Sequence, residues 1–153
     1  MTVTATDLDN LTLYLKQEIR VRAPLEATFE ALLEQMGPAN ETPDGTPLPM
    51  RIEPFPGGRW FRDLGHGDGH FWGHVQAIKR PGLLEIVGPL FMSAPVISNL
   101  QYRLTQVDDG TLIAFQHSAF GFVPEQYREG TSRGWQALFD RVKRAAEKTD
   151  RAQ

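Results

Sequence analysis

The 153-residue sequence contains no cysteine. A disulfide frame, a thiolate nucleophile and a thiolate metal site are therefore excluded. Positive charge is not in excess either: 16 Lys and Arg stand against 19 Asp and Glu, a formal net charge of −3. Nucleic-acid binding usually needs a basic face, so no nucleic-acid partner is expected. No apolar run approaches the roughly 20 residues a membrane helix requires, and no membrane insertion is expected. The opening MTVTATDLDNLTLYLKQEIRV has neither the apolar core of a signal peptide nor a basic leader, so the expected location is cytoplasmic. What remains is 41% hydrophobic and 23% charged, a globular balance. It fits a single domain over residues 1–153, with its core at about 11–148.

The first regular piece is LTLYLKQEIRVR, Leu11 to Arg22. Apolar and polar residues alternate there, which predicts a half-buried strand. The interruption between Leu15 and Ile19 suggests a bulge or a looser start. APLEATFEALLEQMG reads as a helix. Pro24 suits its first turn, and Phe29, Leu32, Leu33 and Met36 form one apolar face. Gly37-Pro38 would end it, with Gly37 as a left-handed cap. Ala39 to Pro49 has three prolines, an Asp-Gly turn and no periodicity, so it reads as a loop at an entrance or lid.

From Met50 to Phe122 about six strands follow, separated by short turns, which implies an antiparallel meander. Asp108-Asp109-Gly110 is its strongest hairpin signal. A long amphipathic helix closes the chain. Pro124 lies at its first turn, and Trp135, Leu138, Phe139, Val142 and Ala146 form its apolar face. Arg141, Lys143, Arg144 and Lys148 gather near its negative end. Gly130 and Gly134 sit four apart on one face. Each costs about 1 kcal/mol relative to alanine in a helix interior, so they point to a close backbone approach or a gap beside the helix. Strand, helix, six strands and a long helix predict an α+β fold with helices on one face of an antiparallel sheet. One helix cannot fill a strongly curved sheet, and the space left over suits a small ligand.

Three of the four histidines stand in GHGDGHFWGHV, Gly65 to Val75. Alternation places His70, Trp72 and His74 on one strand face. At about 3.3 Å per residue, His70 and His74 stand roughly 13 Å apart. One zinc ion, with nitrogen ligands at about 2.0–2.1 Å, cannot take both. His66, Asp68 and His70 would converge only if the glycines folded the turn tightly. The preferred reading is an ordinary hairpin with no metal and no cofactor.

His117 is different. In TLIAFQHSAF, residues Ile113, Phe115, His117 and Ala119 share the more apolar, inward face. A buried histidine must hydrogen-bond. It is either a core residue bonded to backbone or Tyr102, or a pocket residue that orients a ligand or moves a proton. Trp60, Tyr102, Phe115, Phe122, Trp135 and Phe139 are the other lining candidates, and together with His117 they form the expected ligand-binding set. Arg62 shares a strand face with Trp60. It needs an anion if buried, and is a solvated surface residue if the register slips. Nucleophilic catalysis has little support: no serine lies in a Gly-x-Ser-x-Gly elbow, and Ser118 points away from His117.

PFPGGRWFRD, GHVQAIKRPGLLEIV, DDGTLIAFQHSAF and REGTSRGWQALFDRVK resemble, in that order, the Bet v 1/START-like (SRPBCC) superfamily. Within it the chain is most similar to the domain homologous to the C-terminal part of the Hsp90 ATPase activator. The similarity runs from about Ile19 to Ala146. Each element alone is a weak motif; the specificity lies in their order, with Gly57-Gly58, the strand ending in His117-Ser118 and the Gly134-Trp135 pair of the last helix. The resemblance implies a helix-grip fold, a curved seven-stranded antiparallel sheet around the C-terminal helix. Such relatives include lipid and hormone carriers, aromatase/cyclases, self-sacrificing resistance proteins and chaperone regulators. No counterpart of the activators' N-terminal chaperone-binding domain is expected, which speaks against a full co-chaperone role.

Three functions follow as expectations. The first is binding of a small hydrophobic or aromatic molecule between sheet and last helix, more a binding module than an enzyme. The second is a cyclase or hydrolase with His117 as acid–base group and Tyr102 as its partner. The third is chaperone regulation through the outer sheet face bearing His70, Trp72 and His74. A homodimer is left open.

Overall fold

The computed structural model describes residues 9–152, with side chains as far as 149. In chain order the elements are β1 (Thr12–Val21), α1 (Leu25–Met36), β2 (Arg51–Ile52), β3 (Arg59–Gly65), β4 (Asp68–Lys79), β5 (Leu83–Gly88), β6 (Val96–Val107), β7 (Gly110–Gly121) and α2 (Glu125–Ala152). The strands form one curved antiparallel sheet in the order β1-β7-β6-β5-β4-β3-β2. Only β1 leaves its sequence neighbour, crossing by way of α1 to the far edge of the meander.

Alternation on the central strands builds the floor of the core. Leu100, Tyr102 and Leu104 of β6 and Ile113 and Phe115 of β7 are buried on the concave face, beside Leu84 and Ile86 of β5. Phe29, Leu32 and Met36 of α1 and Trp135, Leu138, Phe139, Val142 and Ala146 of α2 close over them. Their three- and four-residue spacing is what puts each set on one helix face. Tyr102, Phe115 and Phe139 meet ring to ring, with centroids 4.9–6.2 Å apart, in the edge and tilted arrangements aromatic rings prefer.

Two local expectations fail. β1 has no bulge: it pairs with β7 without interruption from Thr12↔Phe120 to Val21↔Thr111. Leu13, Leu15, Gln17, Ile19 and Val21 share one face. Gln17 is tolerated there because its amide donates to the Ser132 carbonyl of α2 at 2.9 Å. Gly37 does not adopt a left-handed cap; its φ is −102°. Glycine is needed there for space, since a Cβ would lie 2.9 Å from the Leu33 carbonyl oxygen.

The β3–β4 hairpin turns on His66 and Gly67, with φ of 57° and 82°, between the paired Gly65 and Asp68. Positive φ at both central residues is the type I′ geometry that matches strand twist. The histidine at the tip is thus a turn residue. No His/Asp/Glu cluster able to hold a metal ion occurs among the described residues, and none of their helices is long and apolar enough to cross a membrane.

Candidate functional site

The sheet curves away from the N-terminal half of α2, and a cavity of about 350 Å3 opens there. That lies in the size range of small-molecule sites. Trp60 of β3 and Trp72 of β4 form one wall. Phe91, in the β5–β6 connection, forms the next. Tyr127, Thr131, Trp135 and Leu138 of α2 stand opposite, and Met36 with Asn40–Pro43 and Leu48 closes the remaining side. The chain has three tryptophans, and all three line this space. Gly130 and Gly134 lie at the mouth. A Cβ at Gly130 would touch nothing within 4 Å, and one at Gly134 would meet only Pro43, at 3.9 Å. The two glycines therefore mark a gap beside the helix, and no other backbone crowds them.

Trp72 reaches the cavity because β4 carries a bulge. Trp60 pairs with Gly73 but Phe61 pairs with Phe71, leaving Trp72 as the extra residue. An extra residue breaks the two-residue period and re-aims a side chain. Trp72 then packs edge-on to Trp60 at 4.9 Å and to Phe91 at 5.7 Å. Phe71 instead joins His74, at 4.8 Å. This corrects the expectation that His70, Trp72 and His74 form one outer face. The bulge is held from the β5 side. Leu90, at φ 59°, turns the chain back, and its N–H donates to the Trp72 carbonyl at 2.8 Å. Gly88 permits the approach, since a Cβ there would lie 2.3 Å from the same carbonyl oxygen. Gly88→Ala is expected to cost about 2–4 kcal/mol, in the range of steric overpacking and backbone strain. Urea denaturation measures it, and a loss below about 0.5 kcal/mol would mean that the bulge relaxes freely.

The loop is ordered by its own bonds. Leu48 N–H donates to the Asn40 carbonyl and Thr42 N–H to the Thr46 carbonyl, both at 2.8 Å. Arg141 ties it to the helices. This buried guanidinium donates to Gln35 of α1 at 3.2 Å and to Asn40 at 3.1 Å. Burial lowers its pKa from the usual arginine value, while Glu41, 4.0 Å away, acts in the opposite sense. Arg141 is thus a strut inside the fold, where the sequence pattern suggested only a favourable charge near the helix end.

The expected lining residues separate into groups. Trp60 and Trp135 line the cavity. Tyr102, Phe115 and Phe139 are buried behind it in the packed core. Phe122 is 67% exposed and cannot be a wall. It follows Gly121, where β7 ends, and has the same parity as exposed Phe120. Arg62 is only half-buried and satisfies the Pro49 carbonyl at 3.1 Å, outside the cavity. Trp72, Phe91, Tyr127, Met36, Leu48 and Glu41 were missed. Only Met36, at the C-terminal end of the apolar face of α1, had a periodicity signal.

His117 is fully buried behind Trp135 and does not line the cavity. Its partners are Trp135, whose Nε1–H lies 3.1 Å from Nδ1, and Ser98 Oγ, 2.9 Å from Nε2. The expected bond to backbone or Tyr102 is absent from its ring. An indole nitrogen can only donate, so Nδ1 must accept and the proton sits on Nε2. Nε2–H then donates to Ser98, which leaves the histidine unable to take the serine proton. Burial lowers the His117 pKa to about 4, keeping the ring neutral at pH 7. The Tyr102 hydroxyl is buried with no partner among the described residues, and burial raises its pKa. Tyr102→Phe is expected to leave stability unchanged or raise it by about 1 kcal/mol, because it removes an unpaired buried group. A loss above about 1 kcal/mol on thermal denaturation would reveal an unseen partner.

With the geometry in place, comparison with known proteins settles the family. The model for "Activator of Hsp90 ATPase homolog 1-like protein" matches residues 22–147. The chain belongs to this family. The fold of this chain recurs in solved structures of low sequence identity. Protein MLL2253 from Mesorhizobium loti superposes with a TM-score of 0.66 at 20% identity, covering 90% of this chain and 99% of that one. Ara h 8.0201 gives 0.62 at 14%, covering 88% and 97%. The di-domain ARO/CYC StfQ from the steffimycin biosynthetic pathway gives 0.67 at 10%, covering 94% of this chain and 53% of that one. At such identities the likeness speaks for the fold alone. No curated protein matches the sequence.

Proposed function

We propose that this Hsp90-activator-homologue-like domain binds a small apolar or aromatic molecule in the cavity beside α2. One observation carries the reading: about 350 Å3 of space whose walls include all three tryptophans of the chain. Apolar surface exposed to a cavity is surface not removed from water, at about 25 cal/mol per Å2. A ligand recovers that term. The walls are held by a bulge, a left-handed Leu90 and a buried arginine strut, so little ordering is left for binding to supply. The second reading is an enzyme on this scaffold, raised by the likeness in fold to the ARO/CYC StfQ structure. Against it stands His117, which has both ring nitrogens engaged and Trp135 between it and the cavity.

Native mass spectrometry of freshly purified protein tests the proposal. The expected spectrum contains a fraction with a retained small molecule, lost on organic extraction and absent from a Gly134→Phe variant. A bound mass that persists unchanged in Gly134→Phe would place the ligand elsewhere.

A further inference from the structure

The lining is unequal in charge. Among the described residues, Glu41 is the only charged side chain of the lining, which includes no lysine, arginine or histidine. The donors of the lining are also largely committed. The indole N–H groups go to the Met36 carbonyl from Trp60 at 2.8 Å, to His70 from Trp72 at 3.1 Å, and to His117 from Trp135 at 3.1 Å. The Thr131 hydroxyl bonds to the Tyr127 carbonyl and the Thr42 hydroxyl to Asp44. Among the described residues, the Asn40 amide and the Tyr127 hydroxyl are the neutral side-chain donors left on the lining. A ligand carboxylate entering here would lose its water and find no cation, which is strongly unfavourable.

A cation meets the opposite surroundings. Trp60, Trp72 and Phe91 form a run of rings that branches at Phe91 to Tyr127 and to Trp135, with contacting centroids 4.9–6.1 Å apart. Aromatic faces attract ammonium groups, most strongly where water is excluded. Glu41 stands at the rim with its side chain 37% exposed. It forms a long ion pair with Arg141 at 4.0 Å, while the guanidinium gives its hydrogen bonds to Gln35 and Asn40. The Glu41 carboxylate therefore keeps acceptor capacity for a ligand.

Resting on the ligand-binding reading above, we infer that the cavity selects an aromatic amine, its ring body among the tryptophans and its ammonium group at the Glu41 rim. Three probes with one ring system test this by isothermal titration calorimetry at pH 7: 1-naphthylmethylamine, 1-naphthalenemethanol and 1-naphthoate. The amine should bind at least tenfold more tightly than the alcohol, and the carboxylate at least tenfold more weakly. Glu41→Gln should cut the amine's advantage over the alcohol at least threefold. Equal binding of amine and alcohol, carboxylate binding at least as tight as the alcohol's, or an amine advantage that survives Glu41→Gln would overturn the charge selection and leave the binding reading standing. No binding by any of the three would overturn both.

Discussion

Filling the mouth of the cavity with Gly134→Phe is expected to abolish ligand binding without harming the fold. The reason lies in how α2 is built. A Cβ at position 134 meets nothing closer than 3.9 Å, and that neighbour is the exposed ring of Pro43. The helix therefore accepts a side chain, and replacing a helical glycine gains about 0.5 kcal/mol in propensity. A phenyl group at this wall occupies the space between Trp135 and the loop. Affinity should fall at least 100-fold, equivalent to about 2.7 kcal/mol, while the melting temperature holds or rises. Gly130→Ala is the matched control. Its new methyl touches nothing within 4 Å, so stability should rise by about 0.5–1 kcal/mol with affinity changed less than threefold. Probe titration and thermal denaturation of the three proteins read both effects. An affinity loss below threefold in Gly134→Phe would remove this cavity from consideration.

The second large effect is acid destabilisation through His117. In the unfolded chain a histidine titrates near 6.5; in the fold, burial lowers His117 to about 4. Above pH 6.5 the ring is neutral in both states and imposes no proton cost. Between 6.5 and about 4 the unfolded state takes the proton and the folded state does not, so stability falls as pH falls. Below about 4 both states are protonated and the loss levels off. The interval corresponds to about 3 kcal/mol. Protonation would also set an Nδ1–H against the Trp135 N–H, removing the bond that holds a cavity wall. Urea unfolding at pH 7, 5.5 and 4.2 measures this, with His117→Gln as reference. A glutamine can accept from Trp135 and donate to Ser98 but does not titrate. Subtracting its profile removes the carboxylates common to both proteins, including Asp44 and Glu53, whose pKa values hydrogen bonds lower. The expected difference is a loss of about 3 kcal/mol in the wild type alone. Parallel profiles would show that His117 is reached by water.

How much of this was legible in the sequence follows from periodicity. The alternation of β7 correctly turned Ile113, Phe115 and His117 inward, and the spacing of Trp135, Leu138 and Phe139 correctly set the buried face of α2. An inward position does not distinguish a packed core from a cavity wall. Tyr102 and Phe139 fell on the core side of that line, and only the sheet's curvature decides it. Trp72 was assigned to the wrong face because a bulge shifts the period by one residue, and the residues that hold it, Gly88 and Leu90, lie in another segment. Phe91 and Tyr127 had no local signal: one sits in an aperiodic turn, the other on the first turn of a helix. The two glycines of α2 were the most informative residues, since their cost in a helix pointed to a close backbone approach or a gap beside it, and the gap is what the structure shows.

The central claim is that this space is open to a ligand from solution. Titration with N-phenyl-1-naphthylamine, an uncharged arylamine that brightens in apolar surroundings, tests it most directly, read as energy transfer from the tryptophans. With Trp60, Trp72 and Trp135 all on the walls, the account predicts saturable 1:1 binding with strong quenching of tryptophan emission, both lost in Gly134→Phe. Tryptophan emission that does not change as the probe is added, or transfer that climbs without saturating, would contradict it.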